Sequence, residues 1–229
     1  MHKFAIISII LVVCAAFAGK APTLVLDGSV FSGKQILDYG LFDGNGDEIA
    51  ATKVVIEVVD GMLLIEDSVN ESIVRLAMPD LLPSSGEKTI HYQGDYEIHS
   101  VFTEDSILVD AKTPRGDEHV SIELPDEPVF HNGQLLFSIS AMDFTVKKQR
   151  LSLFIPANSS VIEMMIVVNG EEKVTVPAGE FEVFKVALDF GMNVQQAYYE
   201  VASPHRLILY DNGQIQYRFK GESESETDE

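Results

Sequence analysis

Short apolar runs, cut at close intervals by Asn-Gly and Asp-Gly pairs, set the rhythm of this chain. Asn-Gly falls at 45–46, 132–133, 169–170 and 212–213, and Asp-Gly at 27–28, 43–44 and 60–61. Both pairs tolerate the positive φ angles that two-residue hairpin turns need. The runs between them therefore read as antiparallel strands. The clearest hairpin joins 52–59 to 62–66 through Asp60-Gly61; Val54, Ile56 and Val58 share one face of its first strand, and Lys53, Val55, Glu57 and Val59 the other. Further hairpins are predicted for 161–168 with 171–176 around Asn169-Gly170, for 181–190 with 195–202, and for 206–210 with 214–219 around Asn212-Gly213. Weaker strand patterns occupy 89–92, 97–102, 106–110 and 119–124.

Some strands are apolar on both faces. Phe181, Val183 and Ala187 alternate with Phe184, Val186 and Leu188. A sheet wet on one side does not read this way. Either protein covers both faces, or one face lines an apolar cavity. One segment leaves the strand rhythm: within 132–144 the apolar positions Leu135, Leu136, Ile139 and Met142 follow helical spacing, with Asn132 placed to cap the start. A short helix plugging one end of the sheet is expected. Residues 79–86 (Pro-Asp-Leu-Leu-Pro-Ser-Ser-Gly) read as a long loop inside one continuous sheet. The pattern gives a mainly β, antiparallel single domain over 19–220.

The ends and the charge refine the picture. Met1-His2-Lys3, the apolar run 4–17 and the small-x-small triplet Ala16-Phe17-Ala18 form a secretory signal pattern, too short to span a bilayer as a helix. Cleavage after Ala18 is expected; the alternative is a retained N-terminal anchor. No transmembrane segment is expected after cleavage. The single cysteine, Cys14, lies inside that run, so the exported chain would carry no disulfide. Val13 is not the small residue that precedes an acylated lipoprotein cysteine, which disfavours lipid anchoring at Cys14. With 36 Asp+Glu against 16 Lys+Arg the net charge is −20, a field that repels nucleic acid. Residues 221–229, dense in Glu, Ser and Asp, read as a disordered acidic tail.

Candidate chemistry is sparse. Asp43-Gly-Asn-Gly-Asp47 begins like a calcium loop, but Glu48 and Val54 stand where that loop needs Gly and Glu, so it reads as a hairpin turn. His91, His99, His119, His131 and His205 show no zinc spacing along the chain, and no metal or cofactor is expected. There is no Gly-x-Ser-x-Gly elbow, and no catalytic residue is assigned. Arg115-Gly-Asp117 sits where a turn belongs, and Lys147-Lys-Gln-Arg150, the one basic cluster, reads as a solvated loop.

The C-terminal half brings a resemblance. Asn132-Gly-Gln-Leu-Leu-Phe-Ser-Ile-Ser-Ala-Met142, then Val176-Pro-Ala-Gly-Glu-Phe181 running on to Lys185-Val186, then Pro204-His-Arg-Leu207 are similar to a bacterial envelope family known as domain of unknown function 3108. The similarity spans 130–219. It implies an incomplete β-barrel, or curved sheet, with a helix at its opening, a shape similar to the lipoprotein-carrier half-barrels of the bacterial periplasm. An exported, non-enzymatic binding protein follows as the expectation, with a lipid or lipid-linked ligand on a wall of Leu135, Leu136, Ile139, Met142, Phe181, Val183 and Phe184. His205 and Arg206 would form a polar rim; in their bland role they bind neighbouring carboxylates. The alternative is a structural or interaction protein of the envelope with a filled core and a protein partner.

Overall fold

A computed structural model describes residues 20–223 apart from Tyr92 and Met192. The expected signal at 1–18 and the end of the acidic tail, 224–229, lie outside the described residues. The first half is a meander: β1 (Lys34–Phe42), β2 (Glu48–Val59), β3 (Met62–Asp67), β4 (Ser72–Ala77), β5 (Leu82–His91), β6 (Asp95–Phe102), β7 (Ser106–Thr113) and β8 (Gly116–Glu123). After β9 (Val129–His131) and the one-turn helix α1 (Leu135–Ser138), a second meander follows: β10 (Lys148–Ile155), β11 (Ser160–Val176), β12 (Gly179–Asp189), β13 (Val194–Glu200), β14 (Leu207–Asp211) and β15 (Gln216–Ser223). Among the described residues all fifteen strands form one sheet, β1 pairing antiparallel with β15 to join the two meanders and β9 running parallel to β10. The expected class, a mainly β curved sheet with a short helix at its opening, is the observed one.

Strict alternation builds the inner wall of the first meander. Leu63 and Ile65 of β3 and Val74 and Leu76 of β4 are fully buried, while their strand neighbours are half or fully exposed. They share one core with Leu151 and Leu153 of β10, Ile166 of β11 and Ile139 beyond α1. Two buried tyrosines tie this core together: the Tyr39 hydroxyl donates to the Leu207 carbonyl at 2.9 Å, and the Tyr199 hydroxyl to the Leu136 carbonyl at 2.7 Å.

The sheet rolls past the point of closure. Ile98, Ile107 and Val109, on the inner face of β6 and β7, make a second, smaller core with Val129 and Phe154. Phe154 follows Leu153 and so points out of the opposite face of β10. An arm of β6, β7 and β8 therefore laps over the outside of β9 and β10. The seam is tight where β5 crosses β9: a Cβ on Gly86 would stand 2.4 Å from Nε2 of His131.

Five expectations need correction. Asn169-Gly170 is no hairpin turn. Residues 160–176 form one long strand, and the pair sits at a bulge against β12, with Gly170 at φ +121°. A bulge and a turn ask the same positive φ of glycine, so the dipeptide could not tell them apart. The helix is one α turn continued by a 3-10 turn at Ile139–Ala141, and Gln134 rather than Asn132 holds the cap position. Residues 221–223, read as tail, extend β15 against β1. Within 147–150, Lys148 begins β10; Arg150 is turned inward onto Glu127 and the Ala21 carbonyl, and Gln149 is buried. The stretch 79–86 is only partly a loop, since β5 starts at Leu82. The turn expected at 43–47 is present, with Oδ1 of Asp43 accepting from the backbone of Asn45 and Asp47; near 115–117 the turn falls on Pro114-Arg115, and Gly116, at φ +125°, already opens β8.

Candidate mouth cleft

At one end of the rolled sheet, the turns β3–β4, β10–β11, β12–β13 and β14–β15 stand around a cleft of about 220 Å³. Its floor is the helical segment, through Leu135, Leu136 and Phe137. Ile155, Pro156, Ala157 and Phe190 extend the apolar side. Asp67, Asn70, Ser72, Lys88, Asn132, Gln195, Tyr210 and Tyr217 make the rest polar.

The polar side is built by short-range hydrogen bonding. The buried Asp67 carboxylate accepts from the Thr52 hydroxyl at 2.9 Å, from the backbone N–H of Val69 and Asn70, and from the Asn70 amide at 2.6 Å. That amide also donates to the Tyr217 hydroxyl at 2.9 Å, tying the β3–β4 turn to β15. The Lys88 ammonium donates to the Asn70 carbonyl. Burial holds its pKa below the ordinary lysine value, with Asp67 and Glu71 pulling the other way. Burial likewise raises Tyr217 well above the usual phenol range and Tyr210 to about 12, so both hydroxyls are neutral.

His131 stands where cleft and seam meet. Its Nδ1 accepts from the Gly133 N–H at 3.0 Å, which leaves the proton on Nε2. That nitrogen is buried without a hydrogen-bond partner among the described residues, facing Gly86. The ring lies 5.7 Å from Phe154 and 6.3 Å from Phe102. Burial, helped by the Lys88 charge, pushes its pKa down to about 4. Asp67 spends its lone pairs on structure and His131 is neutral and turned into the seam. The arrangement offers a surface for recognition, with an apolar floor and a hydrogen-bonding wall.

The residues expected to form an apolar wall take several different places. Leu135 and Leu136 reach the cleft. Ile139 and Met142 are buried in the main core. Val183 is fully buried, and so is Val186, which points the opposite way along β12, so protein covers both faces of that strand. Phe184 stacks on Phe144 at 4.6 Å, and Phe181 meets Phe219 edge-on at 6.1 Å. His205 and Arg206 do not line the cleft. Nδ1 of His205 is 3.0 Å from the Glu200 carbonyl, its ring packed on Phe144 and Phe184. The Arg206 guanidinium bridges Glu200 at 2.8 Å and Glu222 at 2.6 Å and covers the Phe219 ring. The polar residues that do line the cleft, Asp67, Asn70, Lys88 and His131 among them, carry no local signature; strand pairing and the rolling of the sheet bring them together.

No family model matches the chain, so its expected membership of domain of unknown function 3108 is not confirmed, and no curated protein matches it. Solved structures do. A β-barrel-like protein of domain of unknown function DUF1849 from Brucella abortus aligns over 85% of this chain and 99% of its own, with TM-score 0.51 and 9% identity. A lipoprotein candidate from Parabacteroides distasonis aligns over 89% and 100%, at TM-score 0.31 and 10% identity. A candidate exported protein with YmcC-like fold from Bacteroides fragilis aligns over 88% and 100%, at TM-score 0.26 and 11% identity. The first of these supports a β-barrel-like fold and nothing finer. No helix among the described residues is long and apolar enough to cross a membrane.

Proposed function

We propose that this chain is an exported, non-enzymatic binding protein of a bacterial envelope, and that its guest is a small amphiphile held in the mouth cleft. The observation that carries this reading is the contrast between a packed interior and a half-apolar, half-polar cleft at its end. Pockets that enclose drug-sized ligands run to about 300–1,000 Å³. A cleft of about 220 Å³ suits one short apolar tail or the end of a longer molecule. Its floor would take the tail, at roughly 25 cal/mol per Å² of apolar surface buried before association losses. Asn70, Lys88 and Asn132 would meet a polar or anionic head. Two acyl chains inside the sheet, the guest implied by the carrier-like shape, would have to displace Ile139, Met142 and Val183 from the core.

A lipophilic naphthalene dye titrated into purified protein, followed by displacement with medium-chain fatty acids, tests the reading. Saturable fluorescence is expected, lost in Ala157→Phe, which plugs the cleft from an exposed turn. Dye binding that is absent, or unchanged in that variant, overturns it. The filled interior also favours a second reading, a scaffold that docks an envelope protein. A stoichiometric protein partner from a native pull-down, with no small molecule detected by native mass spectrometry, would select that one.

A further inference from the structure

The outer face of the arm carries chemistry that the cleft does not use. Register sets Glu87 of β5 opposite His99 of β6, His99 opposite Asp110 of β7, and Asp110 opposite His119 of β8. Cross-strand partners project from the same face, and adjacent strands lie about 5 Å apart. Donor types that bind metals thus stand in one row across four strands. All four line a groove of about 390 Å³ on this face. His99, Asp110 and His119 are exposed and free to turn. The pairing has begun on one side, where Nδ1 of His119 lies 2.5 Å from Oδ1 of Asp110.

We propose that His99, Asp110 and His119 form a surface site for a divalent transition-metal ion such as Zn²⁺ or Ni²⁺. Two imidazoles and a carboxylate suit these ions, with water completing the shell. Glu87, already paired with Arg75 at 2.7 Å, supports the row from its far end. Among the described residues no three donors already converge on one point. The ion replaces the hydrogen bond between His119 and Asp110 and draws His99 in from the other flank. Glu97 and Asp117 add negative potential to the groove. Its two lysines are occupied, Lys112 by Glu97 at 2.7 Å and Lys88 by the Asn70 carbonyl. The chain's net charge of −20 raises the local cation concentration further.

Calorimetric titration of the purified full chain with zinc chloride near neutral pH tests the site. One saturable site is expected. His99→Ala and His119→Ala each weaken it by at least about tenfold, since changes one shell further out already cost about 10–100-fold. Asp110→Asn does the same, and acidification releases the ion because a coordinating imidazole must be deprotonated. His91 lies 2.7 Å from Asp95 and 3.0 Å from Glu71 and is the natural control. His91→Ala leaves the affinity unchanged. Circular dichroism checks that each exposed variant stays folded. Absence of saturable uptake, uptake that survives His99→Ala or His119→Ala, or uptake abolished by His91→Ala alone overturns the proposal.

Discussion

The barrel and the arm are made from the same hairpins and end in different physical situations. Strands β1 to β4 and β10 to β15 bury one common core, with buried residues on every strand and a helical turn inside. Strands β6 to β8 hold their inner face against the barrel through a handful of residues and leave β8 almost wholly exposed. A sheet this long cannot bury all of itself. The part that closes on its own face becomes the structural core, and the part that overshoots becomes a lap joint with one wet side.

Substitutions sharpen that contrast. Leu153→Ala, in the barrel core, is expected to cost about 2–5 kcal/mol and to lower the whole cooperative transition in a denaturant titration. His131, on the seam, should show itself through pH. Burial lowers its pKa from the ordinary 6.5 to about 4 in the folded chain. The folded form therefore prefers the neutral ring, and its stabilisation is complete above 6.5 and disappears as the pH falls toward 4. The full loss is roughly 3 kcal/mol, at 1.36 kcal/mol per unit. His131→Phe should flatten the upper part of that slope in a stability-against-pH series, before the carboxylates titrate. Ile107→Ala, at the arm's inner face, falls near the low end of about 2–5 kcal/mol. Hydrogen exchange should show it loosening β6 to β8 while β1 to β4 keep their protection. Equal loss in both regions would mean that arm and barrel form one cooperative unit. Gly86→Ala forces a methyl against the His131 ring and should cost about 1–3 kcal/mol by thermal melt. Leu108→Ser, one residue from Ile107 but on the wet face, should stay within about 0.5 kcal/mol in the same assay.

Hairpins with local instructions were readable in the chain. Asp60-Gly61 between two alternating runs is the β2–β3 turn, and Asn212-Gly213 joins β14 to β15. The two-sided apolar pattern of β12 is visible in the sequence, but its cause is long-range: Phe144 and Phe219 arrive from elsewhere in the chain to cover it. The same limit explains Asn169-Gly170, where pairing along the whole of β11 overrides a dipeptide that would make a turn. The cleft was not legible, because strand pairing sets Asp67, Ser72 and Lys88 in one row and only the rolling of the sheet brings His131 against them. The row of His99, Asp110 and His119 was half legible. Linear spacing hides it, yet strand parity and the two intervening turns would have placed all three on one face.

The joint between β5 and β9 has a consequence for how such a molecule tolerates change in length. In a fully bonded barrel, strand number and shear together dictate the circumference, so adding a hairpin means rebuilding the whole ring. Here the sheet's two ends are held by side chains sliding over one another, as at Gly86 and His131, and β8 ends in open solvent. A lineage could lengthen or shorten the overlap by whole hairpins at that free margin and leave the inner diameter, and the helical plug within it, untouched.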